Sequence, residues 1–221
     1  MTRRTSRWVP VGLIALAAVP VVAGTARLVE MLGGPQLIPT DARFAASPVP
    51  VVVHVVSAIG YALLGAFQFS AGIRRRHPRW HRQAGRALVA VGLVVALSAL
   101  LLTLAYPQKE GTGDLLYAFR LLFASGMATA LVLGLAAIRR RDIARHRAWM
   151  TRAYALGLGA GTQAFTVGFG EVLFGVSVPS HDLLMGAGWV INLAVAEIII
   201  RRPTGRQSHS TPARTALAGS S

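Results

Sequence analysis

Hydrophobic and polar positions are blocked along this chain, not interleaved. Six long apolar runs, at about residues 8–32, 50–73, 87–106, 115–138, 148–176 and 183–200, are separated by short polar segments. A helix rises about 1.5 Å per residue, so roughly 20 apolar residues cross the hydrocarbon core of a bilayer. Each run is predicted to be one transmembrane helix. The runs are continuous and do not alternate in character, which excludes a β-barrel. The pattern predicts an all-α, polytopic transmembrane bundle over residues 8–202. A short tail at 1–7 precedes it. The stretch 203–221, rich in Ser, Thr and Gly, has no apolar periodicity and is expected to be disordered.

The polar segments orient the bundle. Clusters of arginine resist translocation and stay in the cytoplasm. With six spans and both termini cytoplasmic, the inner side receives Arg3, Arg4 and Arg7, the runs Arg74–Arg86 and Arg139–Arg152, and the tail arginines. These are 19 of the 23 basic residues, leaving only Arg27, Arg43, Lys109 and Arg120 for the outer half. One span more or fewer would destroy this segregation. The first run, with arginines before it and Ala23, Gly24 and Ala26 near its end, also has the outline of a secretory signal. Its length argues for a retained span, and Arg27 and Glu30 are spaced to pair on one helix face.

Composition agrees with a membrane protein. Hydrophobic residues make up 53% of 221 positions and charged residues 14%, where a water-soluble domain carries about a quarter charged residues. The net charge of +15 lies in loops between apolar spans. This predicts anionic lipid head groups, not nucleic acid, as the partner of the basic segments. The expected location is the inner (plasma) membrane. There is no cysteine, which excludes disulfides, thiolate metal sites and thiol catalysis. The serines follow no nucleophile pattern, and the acids are too scattered for a carboxylate pair or a metal cage.

Candidate chemistry rests on polar residues inside or near the spans, where such groups cost free energy. His54, Tyr61 and Gln68 recur at intervals of seven, nearly two turns, and form one polar stripe on the second span. They could line a cofactor site, a proton path or a solute cavity. They could equally form interhelical hydrogen bonds, which contribute about 0.6 kcal/mol on average. Arg27, Arg120, Glu171 and His181 add polar groups to the outer half, where Arg120 and Glu171 would neutralise each other if their helices are neighbours. The inner boundary carries His81 and His146, each followed by arginine at a helix entrance, with Trp80 and Trp149 at interfacial depth. Gly157, Gly159, Gly161, Gly168 and Gly170 thin the surface of the fifth span, which allows close helix packing or room for a flat ligand.

The order of His54, Tyr61, Phe67-Gln68-Phe69, His81-Arg82 with Gly85-Arg86, and His146-Arg147 with Trp149-Met150 and Arg152-Ala153-Tyr154 resembles a family. It is the predicted bacterial membrane protein family catalogued as domain of unknown function 2306. Trp189, Asn192 and Glu197 on the sixth span are similar to what that family would place there. The resemblance covers about residues 51–197. It implies a membrane bundle and carries no established activity. Where the resemblance would put an arginine deeper in the fifth span, this chain has Gly161-Thr162-Gln163-Ala164.

Three functions are compatible with these residues. His54, His81, His146 and His181 near the two faces suggest a b-type haem or quinone redox protein, since two imidazoles at equal depth hold an iron axially. Arg27, Tyr61, Gln68, Arg120 and Glu171 suggest instead the polar cavity of a small-solute transporter or sensor. Transport by six spans without a clear repeat would favour a homodimer. A structural or accessory protein, whose polar groups serve packing, requires nothing more. Whether the chain is an enzyme, and with what catalytic residues, is left open by the sequence.

Overall fold

The computed structural model describes residues 5–202, with side chains from Trp8 onward. The tail expected to be disordered, 203–221, lies outside the described residues. Those described form eight α-helices and a short 3-10 turn at Ala42–Phe44, with no strand among them. The helices are α1 (Thr5–Met31), α2 (Val49–Gln68), α3 (Ala71–Arg76), α4 (Pro78–Ala105), α5 (Asp114–Arg139), α6 (Ile143–Gly157), α7 (Gly159–Phe174) and α8 (Val178–Arg201).

Five of them, α1, α2, α4, α5 and α8, are long and apolar enough to cross a membrane. The fifth apolar run, 148–176, is not one helix. It is divided between α6 and α7, which are separated by Leu158 alone. The break falls in Gly157-Leu158-Gly159-Ala160-Gly161, where glycine weakens the helix. These glycines also sit where other groups press in. A Cβ on Gly157 would stand 2.7 Å from the ring of Tyr61. One on Gly159 would meet the indole of Trp189, and one on Gly161 the backbone carbonyl of Leu16. Close approach is therefore what the glycines provide here.

Other boundaries shift for local reasons. The second apolar run ends as a helix at Gln68; Ser70 then caps the separate short helix α3 by accepting from Ile73 N–H. α4 starts at Pro78, well before its apolar run, because proline suits the first turn and nothing in the arginine-rich stretch breaks a helix. Tyr106, held extended ahead of Pro107, ends it. Asp142 caps α6, and Ser177 with Ser180 forms a reciprocal capping box on α8.

The helices close into a ring. α2 packs between α1 and α4, α5 packs on α4, α6 and α8, and α7 lies on α8 and completes the circuit against α1. Small and aromatic residues fill the interior, including Ala66, Ala96, Ala130, Ala153, Tyr61 and Tyr154. Large apolar side chains point outward: Leu104, Leu122 and Phe169 are 64%, 61% and 69% exposed. A surface of this kind needs a non-aqueous surround. The arginines of α3, the start of α4 and the α5–α6 turn lie together at what is called here the basic end.

Candidate functional site

The stripe on α2 is distributed over three depths. His54 lies nearest the far end, opposite the basic one. Its Nδ1 is 2.9 Å from Ser98 Oγ on α4. Ser98 Oγ also lies 2.6 Å from the Val94 carbonyl; where its proton goes there, His54 Nδ1 donates to Ser98 and Nε2 is the ring's acceptor.

His54 lines a central cavity of about 330 Å³ that reaches all of α2, α4, α5, α6, α7 and α8. Its polar members are His54, Thr103, Arg120 and Gln163, with Arg43 at the mouth; Phe123, Met127, Leu156 and Trp189 supply apolar wall. The rings of Phe123 and Trp189 lie 4.9 Å apart and tilted by 31°. The size is at the low end for small-molecule sites.

The mouth is covered by the 3-10 turn. Asp41 caps this turn and binds Arg43 through Nε at 2.8 Å and Nη2 at 2.5 Å. The hydrogen bond from Arg43, opposed by partial burial, holds the Asp41 carboxyl below its ordinary range. Arg43 also donates to the Pro107 carbonyl at 3.1 Å, and Tyr106 Oη donates to the Ser47 carbonyl at 2.6 Å. The turn is thus tied to the loop following α4.

Arg120 is different. Among the described residues no carboxylate lies within ion-pair distance of it. The buried acid in its neighbourhood is Asp182, which is 1% exposed. Both Asp182 oxygens receive Gly113 N–H at 3.1 Å, and one receives Leu116 N–H at 3.0 Å. Asp182 therefore caps α5 from another helix and makes no bond to Arg120. Glu171, the partner the sequence offered Arg120, pairs with His181 at 2.8 Å instead.

The cavity floor is built by close contacts. Tyr61 is wedged between Gly92 on α4 and Gly157 on α6, with its ring 2.7 Å from where either Cβ would stand. Tyr154 presses on Gly65 in return, and its hydroxyl donates to the Ala62 carbonyl at 2.6 Å. α7 begins at this wall with no side-chain cap. The break is braced by α8: Asn192 Nδ2 donates to the Ala155 carbonyl at 3.0 Å, and Thr162 donates to Asn192 Oδ1 at 2.6 Å. Neighbouring helices commonly take up backbone groups that a break exposes. Gln163 donates to the Met185 carbonyl at 2.9 Å, and Thr166 to Leu184 at 2.8 Å.

Toward the basic end, Gln68 Nε2 and His81 Nδ1 are buried without a hydrogen-bond partner. Gln68 lies against Gly85, one turn from His81 on α4. His146 donates Nδ1–H to the Gly134 carbonyl at 2.8 Å. Arg152 grips Glu197 with Nε at 2.5 Å and Nη2 at 3.1 Å, and its guanidinium lies 4.7 Å from the Trp149 ring centroid. Arg27 pairs with Glu30, as their spacing predicts, and donates to the Pro39 carbonyl at 2.6 Å.

Of the residues singled out from sequence, His54 and Arg120 share the cavity and Tyr61 backs its floor. Gln68, His81 and His146 belong to the basic end; Arg27, Glu171 and His181 make separate contacts near the far end. The four histidines do not meet at one place: His54 lines the cavity, while His81 and His146 lie near each other at the basic end. Arg43, Thr103, Gln163 and Trp189 were not anticipated as cavity residues. Gln163 carried a signal, a polar residue in an apolar run where the resemblance would place a charge; Arg43 carried none, because its position depends on how a loop folds back.

No curated protein and no solved structure matches the chain. Residues 51–200, well over half of its length and including all the cavity-lining residues contributed by α2 and α4–α8, match the family model described as predicted membrane protein (DUF2306), and the chain belongs to that family.

Proposed function

We propose that this protein crosses the plasma membrane six times, with both termini cytoplasmic, and receives a small solute in its central cavity from the opposite side. The sixth crossing is supplied by α6 and α7 in series. The arginine clusters at one end of the bundle support the orientation, since they would have to be translocated otherwise. The observation that carries the solute reading is the cavity itself. His54, Arg120 and Gln163 come from three helices to one apolar-walled space under a tethered turn.

A broken helix at the cavity wall favours a carrier or sensor over a rigid scaffold. Discontinuous helices near the midplane are a recurrent way to build solute sites in transporters. The break leaves two helix segments joined at Leu158, and the hydrogen bonds of Asn192 to both sides set their relative angle.

The test is a thermal-shift screen of small solutes on the detergent-purified protein, repeated with Ala99→Phe, which fills the cavity from α4. Solutes that stabilise the parent and not Ala99→Phe support the reading. Stabilisation that survives the filling substitution, or none by any solute, refutes it.

A further inference from the structure

We propose that the cavity's ligand is a small amphipathic carboxylate, its charged head held by Arg120 and its apolar body laid against Phe123 and Trp189. This rests on the solute-binding reading and adds the chemical class of the solute.

The argument begins with charge. A guanidinium taken from water into the interior of a membrane bundle is costly unless an anion meets it. Four acids near the far end are committed elsewhere, and among the described residues the loop acids Glu110 and Asp114 make no ion pair with Arg120. Asp182 gives its oxygens to the backbone of α5, Glu171 binds His181, Glu30 binds Arg27, and Asp41 binds Arg43. Arg120 alone faces the cavity without a carboxylate. His54 lines the same space and adds a polar ring to it. Arg120, without an ion-paired carboxylate, gives the cavity its positive charge.

Shape narrows the class. Arginine presents a planar fork of donors that matches a carboxylate. A larger polyanion is disfavoured, because most of the remaining wall is apolar: Phe123, Met127, Leu156 and Trp189 offer no charge and few donors. The tilted rings of Phe123 and Trp189, 4.9 Å apart, form an apolar flank against which a ring or a short chain can lie.

The experiment compares phenylacetate, its neutral isostere phenylacetamide, octanoate and acetate on the full-length protein in nanodiscs, using calorimetry and tryptophan fluorescence. Phenylacetate or octanoate is expected to bind saturably, with phenylacetamide and acetate each weaker by about tenfold or more. Arg120→Gln should remove the advantage of the acid over the amide. Arg120→Leu gives an independent readout on the ligand-free protein. Removing an uncompensated cation should raise its melting midpoint, whereas removing a structural ion pair would lower it.

Equal binding of phenylacetate and phenylacetamide would overturn the carboxylate assignment and leave the solute cavity standing. Binding by none of the four probes, together with a lowered midpoint for Arg120→Leu, would overturn both. Acid-selective binding that persists in Arg120→Gln and is lost in a basic-end variant such as Arg74→Gln would move the anion site out of the cavity, and so overturn the proposal.

Discussion

The carboxylate of Asp182 accepts the backbone N–H of Leu116 at 3.0 Å, although the two residues lie on different helices. α5 opens with Gly113, which has no side chain to cap it. Asp182 supplies the missing acceptor from α8, and the helix dipole strengthens the contact. Asp182→Ala should strand the N–H groups of Gly113 and Leu116 and destabilise the protein by about 2–4 kcal/mol. Asp182→Asn should retain part of this. Thermal unfolding in detergent measures both, and a neutral Asp182→Ala would refute the cap.

Tyr61 and Gly157 interlock so closely that either can be tested through the other. Gly157→Ala should cost about 1–3 kcal/mol by overpacking against the ring. Pairing it with Tyr61→Leu should recover much of the loss, giving a coupling of about 1 kcal/mol or more in a double-mutant cycle. Additive losses would mean that the ring yields freely.

Asn192 holds both sides of the break at Leu158. Asn192→Leu leaves the Ala155 carbonyl and Thr162 hydroxyl without that partner, so amide exchange should accelerate over residues 155–162 more than elsewhere. Uniform acceleration along the chain would instead indicate a global loss of stability.

Gln68 illustrates the opposite case, a buried amide whose nitrogen bonds nothing. Replacing an unsatisfied polar group by an apolar one of similar shape is neutral or stabilising. Gln68→Met should therefore leave the melting midpoint unchanged or raise it. A clear fall would show that the amide does meet a partner in the membrane.

The turn over the cavity mouth should loosen only in strong acid. Asp41 is held below its ordinary value of 3.8 by Arg43. A depressed folded-state value contributes stability that is complete above the unfolded value and is lost as pH falls through the folded one. Proteolysis at residues 40–45 should thus be flat from neutral pH down to about pH 4 and rise only below that.

The apolar runs made the helices legible, because a bilayer-length block of apolar residues has few other solutions. What composition does not report is backbone continuity. A run of apolar residues reads the same whether or not it bends, and 148–176 contained both segments of a divided helix. The cavity was half legible. His54 and Arg120 stood out as polar groups in apolar surroundings, but their meeting depends on packing across helices. Only the fold reveals that Asp182 serves a helix distant in sequence.

The early start of α4 has a mechanical consequence. Between Pro78 and the onset of its apolar run, the helix advances about 14 Å at 1.5 Å per residue. Arg79, Arg82 and Arg86 ride on this rigid extension. Their charges stand at set heights above the apolar belt and turn with the bundle, as pegs on a shaft. Any anionic surface that gripped those pegs would resist tilt and rotation together, and would set the angle of α4, and with it the wall of the cavity carrying Thr103, from beyond the apolar belt.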